Sequence, residues 1–122
     1  MKIHLTRDSV CAGDDLDAPH TRTMSFADEM PLDSVVDEIS RSGYLASIVG
    51  GKATWSVVAG QPIAVIAQQW SQPKFLPDHA TNLSLLKGAD GVARVHFRYH
   101  VQDDPNTVFA TLTGQHVASG AA

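Results

Sequence analysis

The stretch Pro31-Leu32-Asp33-Ser34-Val35-Val36-Asp37-Glu38-Ile39-Ser40-Arg41 decides the fold class of this chain. Leu32, Val35, Val36 and Ile39 recur at i, i+3, i+4 and i+7, which lines all four along one stripe of an α-helix and turns that stripe toward a core. Pro31 suits the first helical position, where its missing N–H would have no partner, and Asp28, Glu29 and Asp33 complement the positive end of the helix dipole. Gly43 is the expected stop, because the left-handed residue that closes a helix is most easily a glycine. Asp37 and Arg41 stand at i, i+4 on the outward side, a solvated pair worth about a few tenths of a kcal/mol.

On either side of this helix the pattern changes to period two. Ile3 and Leu5 alternate with His4 and Thr6, and Thr21 to Phe26 repeats the alternation with Met24 and Phe26 as its apolar set, so two strands precede the helix. Asp8 to His20, between them, is polar and broken by Gly13 and Pro19, which predicts a long loop of a kind that is often either functional or mobile. After the helix, Ala53 to Ala59 and Pro62 to Gln68 flank Gly60-Gln61, where glycine at the first turn position favours a type II′ hairpin. Ile63-Ala64-Val65-Ile66-Ala67 is apolar on both faces, which predicts a mid-sheet strand covered on both sides.

Ser71 to Gly91 is punctuated by Pro73, Pro77 and Gly88 and stays open, with Leu83, Leu85 and Leu86 belonging to a short helix or to an irregular crossing. Val92 to Val101 alternates cleanly, with Val95, Phe97, Tyr99 and Val101 on one face and Arg94, His96, Arg98 and His100 on the other. Asp103-Asp104-Pro105-Asn106 is turn chemistry, and Thr107 to Thr113 reads as the strand returning from it. Gln115 to Ala122 is small and polar, a frayed tail.

Together these elements predict an α+β fold. An antiparallel or mixed sheet of about six strands carries one principal amphipathic helix, in the order β-β-α-β-β, an undefined crossing, then β-β. A single domain over residues 1–114 is followed by the tail at 115–122. Over residues 1–70 and the Val92 strand, this element order resembles a β-grasp, ubiquitin-like arrangement. The resemblance implies a helix laid across one face of the sheet, and it implies no activity.

Composition narrows the function. With 122 residues, 43% hydrophobic and 18% charged, the chain is ordinary for one folded domain. Thirteen acidic against nine basic residues give a net charge of −4, which argues against a general nucleic-acid binder. No apolar run approaches the roughly 20 residues of a membrane helix, and the first residues do not form a signal peptide. Cys11, the single cysteine, cannot close an internal disulfide. The expectation is a cytoplasmic domain with no membrane partner.

No motif assembles a catalytic centre. His4-Leu5-Thr6 and His79-Ala80-Thr81 are H-x-T triplets of the sort that two-histidine phosphoesterases use in pairs for acid and base work, but triplets this short arise readily by composition. Asp8, Asp14, Asp15 and Asp17 lack the spacing of an EF-hand loop, and the pairing of Cys11 with His20 carries no geometry. Phosphate loops, nucleophile elbows and the H-E-x-x-H motif are all absent. The sequence leans away from an enzyme and calls for neither cofactor nor metal. Trp55, Trp70, Tyr44 and Phe75 are expected to pack the sheet, while Gln68 to Gln72 around Trp70 suits a partner contact.

Two surfaces remain as candidates. The acidic residues Asp14, Asp15, Asp17, Asp37 and Glu38 would dock a basic protein partner, and the function expected first is a non-catalytic protein-binding module of the immunity or antitoxin type. The alternative uses Arg94, His96, Arg98 and His100, two guanidinium forks and two imidazoles at roughly 7 Å steps. That pattern suits a phosphoester or another small anionic ligand, although an edge strand also carries charge simply to resist aggregation. A homodimer formed through a sheet edge is compatible with either.

Overall fold

Alternating burial builds six strands into one mixed sheet in the computed structural model of this chain, which describes residues 1–10, 20–45, 51–77 and 82–121, with side chains to residue 114. The elements are β1 (Lys2–Arg7), β2 (Arg22–Ser25), α1 (Leu32–Arg41), β3 (Thr54–Ala59), β4 (Gln61–Ala67), β5 (Lys74–Phe75), a 3₁₀ turn (Leu83–Leu86), β6 (Val92–Tyr99) and α2 (Pro105–Ala121). The strand order is β2-β1-β6-β3-β4-β5. β1 and β6 run parallel, from Lys2 beside Val92 to Arg7 beside Phe97, and the other neighbours are antiparallel. The α+β class and the β-grasp-like element order are thus both present, with the strands from the two ends of the order paired at the middle of the sheet.

The inner face of the sheet carries Ile3, Leu5, Trp55, Val57, Ala64, Ile66, Ala93, Val95 and Phe97, all buried, and α1 lays Leu32, Val35, Val36 and Ile39 against it. Tyr44 closes this layer edge-on to Phe97, with ring centroids 5.9 Å apart. Pro31 sits one position earlier than the sequence implied, at the N-cap. There its extended ψ of 137° suits a residue entering the helix, and its carbonyl accepts the N–H groups of Ser34 and Val35. Gly43 does close the helix, at φ +82°.

The hairpin of β3 and β4 forms around Gly60 at φ +78°. Its register shifts between Val57 and Val58, so Ala59 faces Gln61 at the apex and Ile63 is left as a bulge. The apex is tighter by one residue than a regular two-residue turn. β4 is buried as expected, and α2 provides its second cover: Val65, Leu76 and Val108 form a separate cluster, with Trp70, Phe109 and Leu112 packed around it.

The last element corrects the sequence reading. Thr107 to Thr113 is helical rather than a returning strand, and the sixth strand is the short β5 in the crossing left undefined. The cause is visible at the helix start. Asp104 accepts the N–H of Asn106 at 3.1 Å through Oδ1 and the hydroxyl of Thr107 at 3.3 Å through Oδ2, while Pro105 occupies the first helical position. An aspartate cap followed by proline is a helix-start signal, and burying Val108 and Leu112 at i, i+4 outweighs the strand preference of the threonines and valine around them.

β6 also ends earlier than its alternation suggested. Val101 lies outside the strand, exposed, at φ +59°, a left-handed conformation that a β-branched residue adopts only under strain. The strain is held by Thr54, whose N–H donates to the Val101 carbonyl at 3.1 Å and whose hydroxyl donates to the Asp103 carbonyl at 2.8 Å. These bonds turn the chain sharply from β6 into α2. Among the described residues, no helix is long and apolar enough to cross a membrane.

Candidate functional site

Where α2 does not cover it, the outer face of the sheet is polar, and it is built by period two along three strands. Ile3 and Leu5 point inward, so His4 and Thr6 point outward; Val95 and Phe97 point inward, so Arg94, His96 and Arg98 point outward. Cross-strand pairing sets Thr6 beside His96, His96 beside Val58, and Arg98 beside Ser56. β6 is therefore an interior strand. Its basic residues do not protect an edge, and they line the middle of an open sheet face.

The four basic positions then separate by partner. Arg94 is engaged by Asp90, at 2.6 and 3.3 Å, and this guanidinium holds the Asp90 carboxyl down at about 2. His96 is fixed on both ring nitrogens, with Nε2 2.8 Å from Asp8 Oδ1 and Nδ1 2.8 Å from Thr6 Oγ1. Because the carboxylate can only accept, Nε2 carries the proton, and in the neutral ring Nδ1 accepts from the Thr6 hydroxyl. The other oxygen of Asp8 accepts the Tyr99 N–H at 2.9 Å, and the Asp8 N–H donates to Phe97 at 3.0 Å. Asp8 thereby joins the end of β1 to the end of β6.

His100, just beyond β6, places Nε2 2.8 Å from the buried Ser56 hydroxyl. Burial and then the nearby Arg98 cation push its pKa below the ordinary imidazole value, against an opposing pull from Asp103 and Asp8. The Arg98 side chain is exposed, and its guanidinium makes no hydrogen bond or ion pair among the described residues. An open guanidinium flanked by a hydroxyl and two oriented imidazoles can receive a carboxylate or phosphate in a bidentate grip.

Comparison with protein-family models, curated proteins and solved structures finds no match for this chain. The chemistry of the site is the guide to its use.

The acidic candidates do not assemble with this face. Asp37 lies on α1, against the opposite side of the sheet, with Oδ2 3.0 Å from Arg41 Nε, and Glu38 is exposed beside it. Asp14, Asp15 and Asp17 fall outside the described residues, as do Cys11 and the His79-Ala80-Thr81 triplet. The Trp expectations divide. Trp55 is core, tilted on Tyr99 at 4.8 Å between centroids, whereas Trp70 is half-buried with the Lys74 ammonium 5.3 Å from its ring centre.

From the sequence, Asp8 falls in the acidic loop, Thr6 enters only as part of the His4-Leu5-Thr6 triplet, and Ser56 has no site role. A signal for two of them was present, since His4, Thr6 and Asp8 continue one outward row at i, i+2 and i+4. Nothing local marks Ser56 as the partner of a histidine 44 positions away.

The lowered pKa of His100 has a sign that can be measured. Below the ordinary value near 6.5, the unfolded chain takes up a proton that folded His100 resists, so its contribution is fully favourable above that pH and is lost as pH falls. Chemical denaturation from pH 7.5 to 5 should show wild type losing stability relative to His100→Gln. Parallel curves for the two proteins would remove this role.

Proposed function

We propose that this protein binds a small anionic ligand, a phosphate or carboxylate compound, on the open face of its sheet, without catalysing a reaction on it. The observation that carries this reading is Arg98. It is an exposed cation with no partner among the described residues, beside Ser56 and between His96 and His100, whose rings are held in place by Asp8, Thr6 and Ser56. Preorganised neighbours reduce the entropy lost when a ligand is captured.

A thermal-shift panel of inorganic phosphate, nucleotides and simple carboxylates tests the reading, because a ligand that binds only the native state raises apparent stability by mass action. A shift with at least one anion class is expected, and Arg98→Gln should weaken binding about tenfold or more, the loss of a charge-assisted bidentate contact. No shift at millimolar concentration, or a shift that Arg98→Gln leaves unchanged, would sink it.

A second reading, the protein-binding module of the immunity or antitoxin type, is supported by the outward side of α1. Asp33 and Glu38 are exposed there, on the side of the sheet away from the basic residues. Its expected result is low-salt capture of a single basic protein by wild type but not by an Asp33→Asn, Glu38→Gln double variant. Equal capture by both proteins would end it.

A further inference from the structure

Beside the proposed anion site, the sharp turn at Val101 leaves a cavity of about 290 Å³ between the end of β6 and the first turns of α2. His100 forms one wall, Val108, Thr111 and Leu112 form another, and Asp103 and Asp104 stand at the turn. His100 belongs to both places. Its Nε2 reaches Ser56 Oγ, and Ser56 is the cross-strand partner of Arg98, so the guanidinium and the cavity meet at one imidazole. We infer that the ligand is an amphipathic monoanion, with its acidic head on Arg98 and an uncharged apolar tail lying in this cavity along Val108 and Leu112.

The inference rests on the anion-binding reading and specifies its ligand class. Charge complementarity decides the orientation. The Arg98 guanidinium has no hydrogen bond or ion pair among the described residues, whereas Asp104 already directs its carboxylate to Asn106 and Thr107 as the helix cap, and Asp103 adds a second negative group at the turn. A second acid on the ligand would meet these two aspartates, so the tail is uncharged. The apolar side chains of Val108 and Leu112 then give that tail a surface from which water is displaced.

Calorimetric titration of the intact chain with the straight-chain series acetate, butanoate, hexanoate and octanoate tests this, with Arg98→Gln and Thr111→Phe as variants. Thr111 is exposed on α2, so the phenyl group can occupy the cavity without entering the core. Affinity should rise about fourfold per added methylene until the cavity is full, as expected for burying each CH₂. Thr111→Phe should abolish that rise while leaving acetate and phosphate binding intact, and Arg98→Gln should weaken the whole series.

Acetate and phosphate binding through Arg98 with no dependence on chain length would overturn the tail assignment and leave the anion site standing. A chain-length dependence that persists in Arg98→Gln would overturn the placement of the head. Absence of binding by every acid and by phosphate would overturn both this inference and the reading on which it rests.

Discussion

Phe97→Ala is expected to lower unfolding stability by about 3–5 kcal/mol. Phe97 is fully buried at the centre of the sheet, between Arg7 of β1 and Val57 of β3, and its ring meets Tyr44 edge-on. The substitution removes the contacts of the ring and leaves a cavity that two hydrogen-bonded neighbours cannot collapse to fill. The loss would take a large share of the total for a domain, which is usually about 5–15 kcal/mol. Because the Phe97 carbonyl also accepts the Asp8 N–H, the variant should loosen the Asp8 to His96 bond, which can be read as increased hydrogen exchange at Tyr99. Urea denaturation gives the stability directly. A loss under about 1 kcal/mol would mean that the parallel pairing of β1 with β6 does not bury this residue as described.

The second large effect concerns α2, the element that sequence patterning misassigned. Leu76→Ala should cost about 2–5 kcal/mol, because Leu76 is buried on the outer side of β4 together with Val65 and Val108. The decisive measurement is the double-mutant cycle with Val108→Ala. If α2 packs on this face, the two substitutions share one cavity, and their combined cost departs from the sum by about 0.5–3 kcal/mol. Additive costs would show that the helix does not rest on Leu76. The cavity assigned to a ligand tail would then lose one of its walls.

The position of α2 bears on function as well as stability. Among the described residues it packs on β4, and the outward polar side chains of β1 and β6 (His4, Thr6, Arg94, His96 and Arg98) stay partly or fully exposed instead of entering a second core. The strained Val101 turn follows from the same arrangement. The chain must leave β6 and enter the helix within a few residues, and the buried Thr54 anchors that reversal through three backbone-directed hydrogen bonds, two of its own and one accepted by its carbonyl from the His100 N–H. Strain of this kind persists where the surroundings over-determine it, and here it borders the proposed ligand cavity.

What the sequence determined by itself was every element whose burial is written locally. The α1 stripe from Leu32 to Ile39, the hairpin around Gly60 and the alternation from Val92 to Tyr99 each place one face in the core, and a single buried face imposes a period on adjacent residues. The basic row of β6 was legible for the same reason. Tertiary structure decided the rest, because it depends on partners far apart in the chain. The parallel union of β1 with β6 brings Asp8 to His96 and Tyr99 across 88 and 91 positions, and so converts a loop acid into the clamp of a histidine. The helical state of Thr107 to Thr113 had a local start signal in Asp104-Pro105, and the surface offered by Val65 and Leu76 weighted it over the strand preference of the residues that follow. Periodicity records only whether a residue is buried, while strand order and packing decide which side chains meet it there.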